Sequence, residues 1–298
     1  MKSSQSALQD RTAMKGTRTV YPCPFCREEK VRRECLLGGF TYLECANCAT
    51  FRRHPPPLVE ERTHFYREEY SDCYLSTQER PERNQMLSLL LGRLTTTGGQ
   101  RLLDMGAGNG QFVSLARDSG WEAEGTELSH QLRQLAQSRY GIHLRDPGRE
   151  ANPQGSYDWV TLINVLDQAP DPIGLLREAR DALRPKGSLL IRVPNAVFHF
   201  KWIRTTAGIG LGRFSRLAVL HDFGFTPASL KASLLFNGFR TRAIRNASLA
   251  GSLPLGGGPA TTLLTYATES LAKSTTWISG GRIMLGPSIE VEAERLEA

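Results

Sequence analysis

Residues 101–110 read Arg101-Leu-Leu-Asp104-Met-Gly106-Ala-Gly108-Asn-Gly110, and GQFVSLARDSG continues from the last glycine. A short apolar run ends in three alternating glycines, and a helical pattern closed by Gly120 follows, which predicts strand, turn and helix. Glycine lets the backbone turn sharply and approach a ligand with no side chain between them. The helix presents free N–H groups at its start. A dinucleotide fingerprint spaces its glycines G-x-G-x-x-G; here the third comes one residue early.

The same alternation extends outward. WEAEGTEL reads as a strand, and SHQLRQLAQSRYG as a helix with Ser129 as N-cap and Gly141 at its end. IHLRD reads as a strand, YDWVTLIN as another. DPIGLLREARDALRPKG reads as a helix capped by Asp171, with Pro172 in its first turn and Pro185 and Gly187 ending it. SLLIRVPN is then a further buried strand. Strands separated by helices of this length predict an α/β fold, a Rossmann-like doubly wound, mostly parallel sheet with helices on both faces. TPASLKASLLFNG predicts a helix, FRTRAIRNA a strand, residues 261–278 an amphipathic helix and PSIEVEAERL a closing strand.

Glu127 stands at the carboxyl end of the second strand. An acid there can accept hydrogen bonds from both hydroxyls of a ribose. A second constellation lies upstream, where Cys23-Pro-Phe-Cys26 is followed after eighteen residues by Cys45-Ala-Asn-Cys48. Two C-x-x-C pairs at this separation have the spacing of a tetrahedral four-thiolate zinc site. Four cysteines leave no open coordination position, so Zn2+ would be structural, replacing a core that about 30 residues cannot supply.

The predicted organisation is a flexible arm over 1–19, a zinc-ribbon-like module over 20–53, a linker with N-terminal helices over 54–99, and a main domain over 100–298. Three prolines in RRHPPPLVEER favour an extended spacer, and Pro81 is expected to start the second of two helices.

The 298 residues are 40% hydrophobic, which excludes wholesale disorder. No run of about 18 apolar residues exists to span a bilayer, and MKSSQSALQDRTAMKGTRT lacks the apolar core of a secretory signal. A cytoplasmic protein is expected. The net charge is +7, and residues 182–268 hold eleven Lys/Arg against one acid, Asp222. That bias points to an anionic partner or to a solubilising surface. Within 196–226, Phe198, Phe200, Trp202 and Phe214 interleave with Lys201, Arg204, Arg213 and Arg216. Such a lid could stack bases and hold phosphates, or lie peripherally on an acidic membrane surface. It could equally pack its aromatics on the core and leave its cations in water.

LLDMGAGNG, EGTELS and the run YDWVTLINVLDQAPDPIGLLREARDALRPKGSLLIRVPN together resemble the Rossmann-like S-adenosylmethionine-dependent methyltransferases, over about residues 100–240. The resemblance implies S-adenosylmethionine as methyl donor. It places Gly106, Ala107, Gly108 and Gly110 against the donor and has Asp104 orient the turn or the donor's amino group. It also gives the ribose to Glu127 and a lining role to Asn164. Relatives sharing the "vPn" ending often carry Glu-His where this chain has Asp167-Gln168, and the third-strand segment offers only Asp146 toward adenine. HDFGFTPASL resembles the stretch these enzymes place over the active site. That makes His221 and His199 the candidates for contacting substrate, and His221, Asp222 or Asp167 could serve as a general base where the acceptor must lose a proton. The acceptor expected is a small molecule, saccharide or lipid-linked compound, with RNA as the alternative that the ribbon and the basic segment together would serve. A third reading is a scaffold of this fold without activity.

Overall fold

The computed structural model describes residues 21–37, 39–71, 81–94, 100–208, 219, 221–247, 270, 274–276 and 284–297. The expected arm over 1–19, the cations Arg213 and Arg216, Phe214 and most of the expected helix over 261–278 lie outside these residues.

The N-terminal part forms strands β1 (Val31–Leu37), β2 (Phe40–Cys45) and β3 (Phe51–His54), paired antiparallel. Helix α1 (Val59–His64) runs directly into a π-helical turn over Phe65–Glu69. Helix α2 (Pro81–Leu91) begins on the proline, where a missing N–H costs nothing. Then come β4 (Arg101–Met105), α3 (Gln111–Asp118), β5 (Glu122–Thr126), α4 (His130–Tyr140), β6 (Tyr157–Ile163), α5 (Pro172–Ala182) and β7 (Leu183–Pro194). The C-terminal part adds α6 (Ala196–Gly208), β8 (Phe223–Gly224), α7 (Pro227–Phe236), β9 (Phe239–Asn246) and β10 (Ser288–Arg295).

The main sheet has the order β5-β4-β6-β7-β10-β9. Its first four strands are parallel, and β10 runs antiparallel between β7 and β9. Every residue of β6 is buried, as expected for a strand covered on both faces. Two apolar clusters flank the sheet, one including Leu162, Leu176 and Leu230, the other Leu102, Val113 and Ala136.

Two local expectations change. IHLRD forms no strand; its only pairing is the bridge from Thr126 to Arg145, because Pro147 has no N–H to extend a ladder. Helix α5 ends at Ala182, before Pro185, and Leu183 already begins β7, paired with Tyr157 of β6. The proline disfavours helical backbone at Arg184, so the chain straightens early.

The cysteine-bearing strands lean on the rest of the molecule. Strand β8 pairs with β3, making the ribbon sheet β1-β2-β3-β8. Phe25 packs edge-on against Phe223 and Phe225, at centroid distances of 5.4 and 5.2 Å. So small a unit cannot bury a core alone, and Cys23, Cys45 and Cys48 share an apolar cluster with the main sheet.

Candidate active site

The glycine turn is tied to the end of β5. The N–H groups of Gly106 and Ala107 both donate to Thr126 O at 2.9 Å, and Gly108 N–H donates to Glu127 Oε2 at 2.9 Å. Gly106, Gly108 and Gly110 all have positive φ. Their reasons differ. Gly106 and Gly108 line a cavity of about 360 Å3. A Cβ on Gly110 would instead lie 2.8 Å from Ala136 Cβ, so that glycine lets α3 and α4 pack. Ala107 is likewise buried in the apolar cluster behind the turn.

Glu127 is held rigidly. Its Oε1 accepts from Ser129 N–H at 2.9 Å, so both oxygens are anchored by backbone donors and each keeps a further lone pair. Burial pushes its pKa up, against the opposing pull of those N–H groups and of Arg133. Asp104 faces the neighbouring strand, where it accepts from Thr161 Oγ1 at 2.6 Å; burial pushes its pKa up to about 7. Asn164 lines the cavity in a left-handed conformation, its Oδ1 held at 2.6 Å by the buried Arg192 Nη1. Of the seven residues expected at the donor, four therefore face the cavity, and Asp104, Ala107 and Gly110 serve the turn from behind. Asp146 is turned to arginines: Arg67 at 3.3 Å and Arg133 at 3.2 Å. Burial opposes its ionisation, but the Gly148 N–H and these cations prevail and hold its pKa below the usual range. Its neighbours Pro147 and Gly148 line the cavity.

The opposite wall comes from a segment that reads as linker and helix in sequence. The π turn presents Tyr66 to the cavity, and Tyr70 follows one turn later. π-helical turns occur often at functional sites. Tyr66 receives Arg62 Nη2 at 2.7 Å and donates to Gln168 Oε1 at 3.0 Å. The aromatics spaced four apart in FYREEY were the available signal for this wall.

Beside Gln168, Asp167 is buried and neither carboxylate oxygen accepts a hydrogen bond among the described residues. Burial raises its pKa, and the nearby His221 works in the opposite direction. His221 Nε2 stands 3.7 Å from Asp167 Oδ2, with about a third of its side chain exposed. Two candidates distant in sequence thus come together. His199 differs: buried, with Nδ1 accepting from Val219 N–H and Nε2 donating to Pro287 O at 2.9 Å. Burial lowers its pKa to about 4, so it remains neutral and holds the fold. Phe200 packs on Phe51 at 4.2 Å between centroids, which spends that aromatic of the basic segment on the core.

The four cysteine sulfurs lie within 4.8 Å of one another, with Cys23–Cys48 at 3.6 Å and Cys26–Cys45 at 3.5 Å. Tetrahedral zinc with thiolates at 2.3 Å requires sulfurs about 3.8 Å apart, so four buried or half-buried thiols this close together fit the ion's donor set. We expect one zinc per chain by elemental analysis; a Cys45→Ser protein retaining full metal and thermal stability would refute the site.

Residues 62–241 match a family described as methyltransferase domain. A curated relative, ubiquinone biosynthesis O-methyltransferase of Idiomarina loihiensis, is 26% identical over 109 residues, covering 33% of this chain and 43% of its own. The chain thus spans less than half the length of the curated relatives it matches. Magnesium protoporphyrin IX methyltransferase of Synechocystis PCC 6803, solved with bound SAH, superposes with a TM-score of 0.52 at 13% identity, over 80% of this chain and 99% of that one. A SAM-dependent methyltransferase of Archaeoglobus fulgidus gives 0.50 at 17% identity, over 76% and 100%. These two likenesses establish the fold.

Proposed function

The chain belongs to the methyltransferase-domain family, and from that premise we propose that it transfers a methyl group from S-adenosylmethionine to a hydroxyl of a small organic acceptor. The observation that carries this reading is the cavity that joins the glycine turn and Glu127 on one side to Tyr66 and Gln168 on the other. The donor supplies an electrophilic methyl on a sulfonium. The chain must therefore bind it, exclude water and align the acceptor, and such alignment can lower the barrier by about 7–11 kcal/mol.

In this reading Glu127 takes the ribose hydroxyls on its free lone pairs, Gly106 and Gly108 let the donor rest on bare backbone, and Asn164 closes the floor. Ala107 and Gly110 shape the turn, and Asp104 anchors it. The residues fit the donor: a fixed buried carboxylate faces a cavity whose nearest backbone carries no side chains. Gln168 lines the other wall, and the His221–Asp167 pair stands behind it, outside the cavity lining. In this reading an acceptor reaching past Gln168 gives its proton to His221 Nε2, and Asp167 stabilises the resulting imidazolium. The imidazole that relatives carry next to the acid is here replaced by Gln168, and the imidazole nearest the acid, His221, comes from a different segment. The unsatisfied Asp167 carboxylate supports that assignment, since a buried acceptor without a donor is costly.

The curated relatives' small-molecule acceptors and the burial of Phe200 favour a small acceptor over RNA. Zinc in the Cys23, Cys26, Cys45 and Cys48 site is structural in this reading. Among the described residues no helix is long and apolar enough to cross a membrane, which suits a cytoplasmic enzyme.

Two measurements test the proposal. Glu127→Gln keeps the size but removes the charge and turns an NH2 group toward one of the two backbone N–H donors. Calorimetric donor affinity should fall about 10- to 100-fold, the worth of one or two charge-assisted hydrogen bonds. Unchanged affinity would remove the ribose assignment. With labelled donor and cell extract, label should pass to a small-molecule or lipid fraction and persist after ribonuclease; label lost with ribonuclease would make RNA the acceptor.

A further inference from the structure

We propose that the cysteine ribbon is part of the catalytic apparatus: Tyr42 and Arg53 are positioning residues that hold the His221–Asp222 segment against Asp167, and the four-thiolate metal fixes the strands that carry them. The inference rests on the reading of His221 and Asp167 as the acceptor-side pair.

The contacts form a continuous path. Tyr42, on β2, donates its hydroxyl to the His221 carbonyl at 2.9 Å. Arg53, on β3, donates its backbone N–H to the Asp222 carbonyl at 2.8 Å and brings its guanidinium to Asp222 Oδ1 at 3.5 Å. Immediately beyond, Arg52 and Phe51 pair with Phe223 and Gly224. Phe223 N–H in turn donates to the Asp167 carbonyl at 2.9 Å. The segment bearing His221 is therefore clamped between a ribbon strand and the backbone of the acid it faces. A second tie runs from the metal site itself, where Cys48 Sγ lies 3.2 Å from Thr50 Oγ1, and Thr50 Oγ1 lies 3.2 Å from Ser233 Oγ on α7.

The physical case is one of short elements. Strand β8 is only two residues long, and its sole neighbour in the ribbon sheet is β3. A two-residue strand has too few hydrogen bonds to hold its own place. Arg62 Nε, 2.6 Å from Asp222 Oδ2, and the Asp167 carbonyl hold it from outside the ribbon, and the ribbon supplies the contacts to the His221 carbonyl and the Asp222 backbone. The ribbon in turn has too few residues for an independent core and depends on the metal. The glycine turn and Glu127 are anchored separately, by Thr126 and Ser129. Loosening the ribbon should therefore disable the acceptor side and spare donor binding.

The test uses the full chain with Tyr42→Phe, which deletes one hydroxyl, and Leu36→Ala as control. Leu36, on β1, is 76% exposed and takes no part in this path. For Tyr42→Phe, losing one hydrogen bond should lower the rate of label transfer from saturating donor into extract about tenfold. Amide exchange over residues 221–225 should accelerate, while donor affinity and metal content stay at wild-type values. Leu36→Ala should change none of these. Metal removal by chelation should raise exchange over 221–225 in the same way, with donor affinity retained. Wild-type transfer rate in Tyr42→Phe, or exchange over 221–225 that ignores metal removal, overturns the proposal. His221→Ala separates the two readings: if it leaves transfer intact, the pair is not catalytic, whereas full loss there with no effect of Tyr42→Phe refutes the ribbon's role alone.

Discussion

Gly106→Ala is expected to abolish measurable donor binding while leaving a folded protein. Two penalties fall on one atom. Gly106 sits at φ +78°, where a side chain is strained, at a cost of about 1–3 kcal/mol. The new Cβ would also lie 2.6 Å from Val165 Cγ2, and Val165 itself lines the cavity. Relieving the clash moves either the turn or the cavity wall, and either movement displaces the surface on which the donor rests. Donor affinity by calorimetry should weaken by about 100-fold or more, since each 1.4 kcal/mol is tenfold. Gly110→Ala is the informative comparison, because its Cβ would meet Ala136 behind the turn; its loss should appear first as lowered thermal stability. Wild-type donor affinity in Gly106→Ala would remove the turn from the donor site.

His221→Ala is expected to lower the rate of methyl transfer by about 10²- to 10⁴-fold, the usual worth of a general base, with donor affinity unchanged. The side chain is about a third exposed and its own backbone is held through Tyr42, so truncation leaves no buried void and the protein should fold. Asp167→Asn should show a partial version of the same defect. The carboxylate is buried and its pKa is raised by that burial, against the pull of His221. Removing its charge therefore stabilises the pocket while depriving the imidazolium of its counter-charge. A reduced turnover with equal or higher thermal stability would be the signature. If Asp167→Asn turns over normally, the imidazole acts without it.

Much of the architecture is legible in local chemistry. The alternation of apolar strands and capped helices from Arg101 to Pro194 could be read because each element carries its own signal: Ser129 and Asp171 accept from the N–H groups of Leu132 and Gly174 as N-caps. The expected third strand fails because a single residue, Pro147, cancels what the apolar positions of IHLRD suggest. The donor residues were half legible. Glycines announce a turn, but whether the missing Cβ makes room for a ligand, as at Gly106, or for a helix, as at Gly110, depends on what packs behind them.

The wall opposite the glycine turn was legible only as a pair of aromatics four residues apart. Tyr66 faces the cavity because a π turn rotates the end of α1, and nothing in FYREEY specifies that rotation. Spacing alone determined the alternation of strands and helices, the glycine turn and the four-cysteine set, since hydrophobic period, backbone freedom and ligand geometry all act within a few residues. Only the tertiary structure decided that His221 meets Asp167 and that Tyr42 holds it there. Those contacts arise where β3 pairs with a two-residue strand from the other end of the chain, and such pairing is set by long-range register and shared burial rather than by any local pattern.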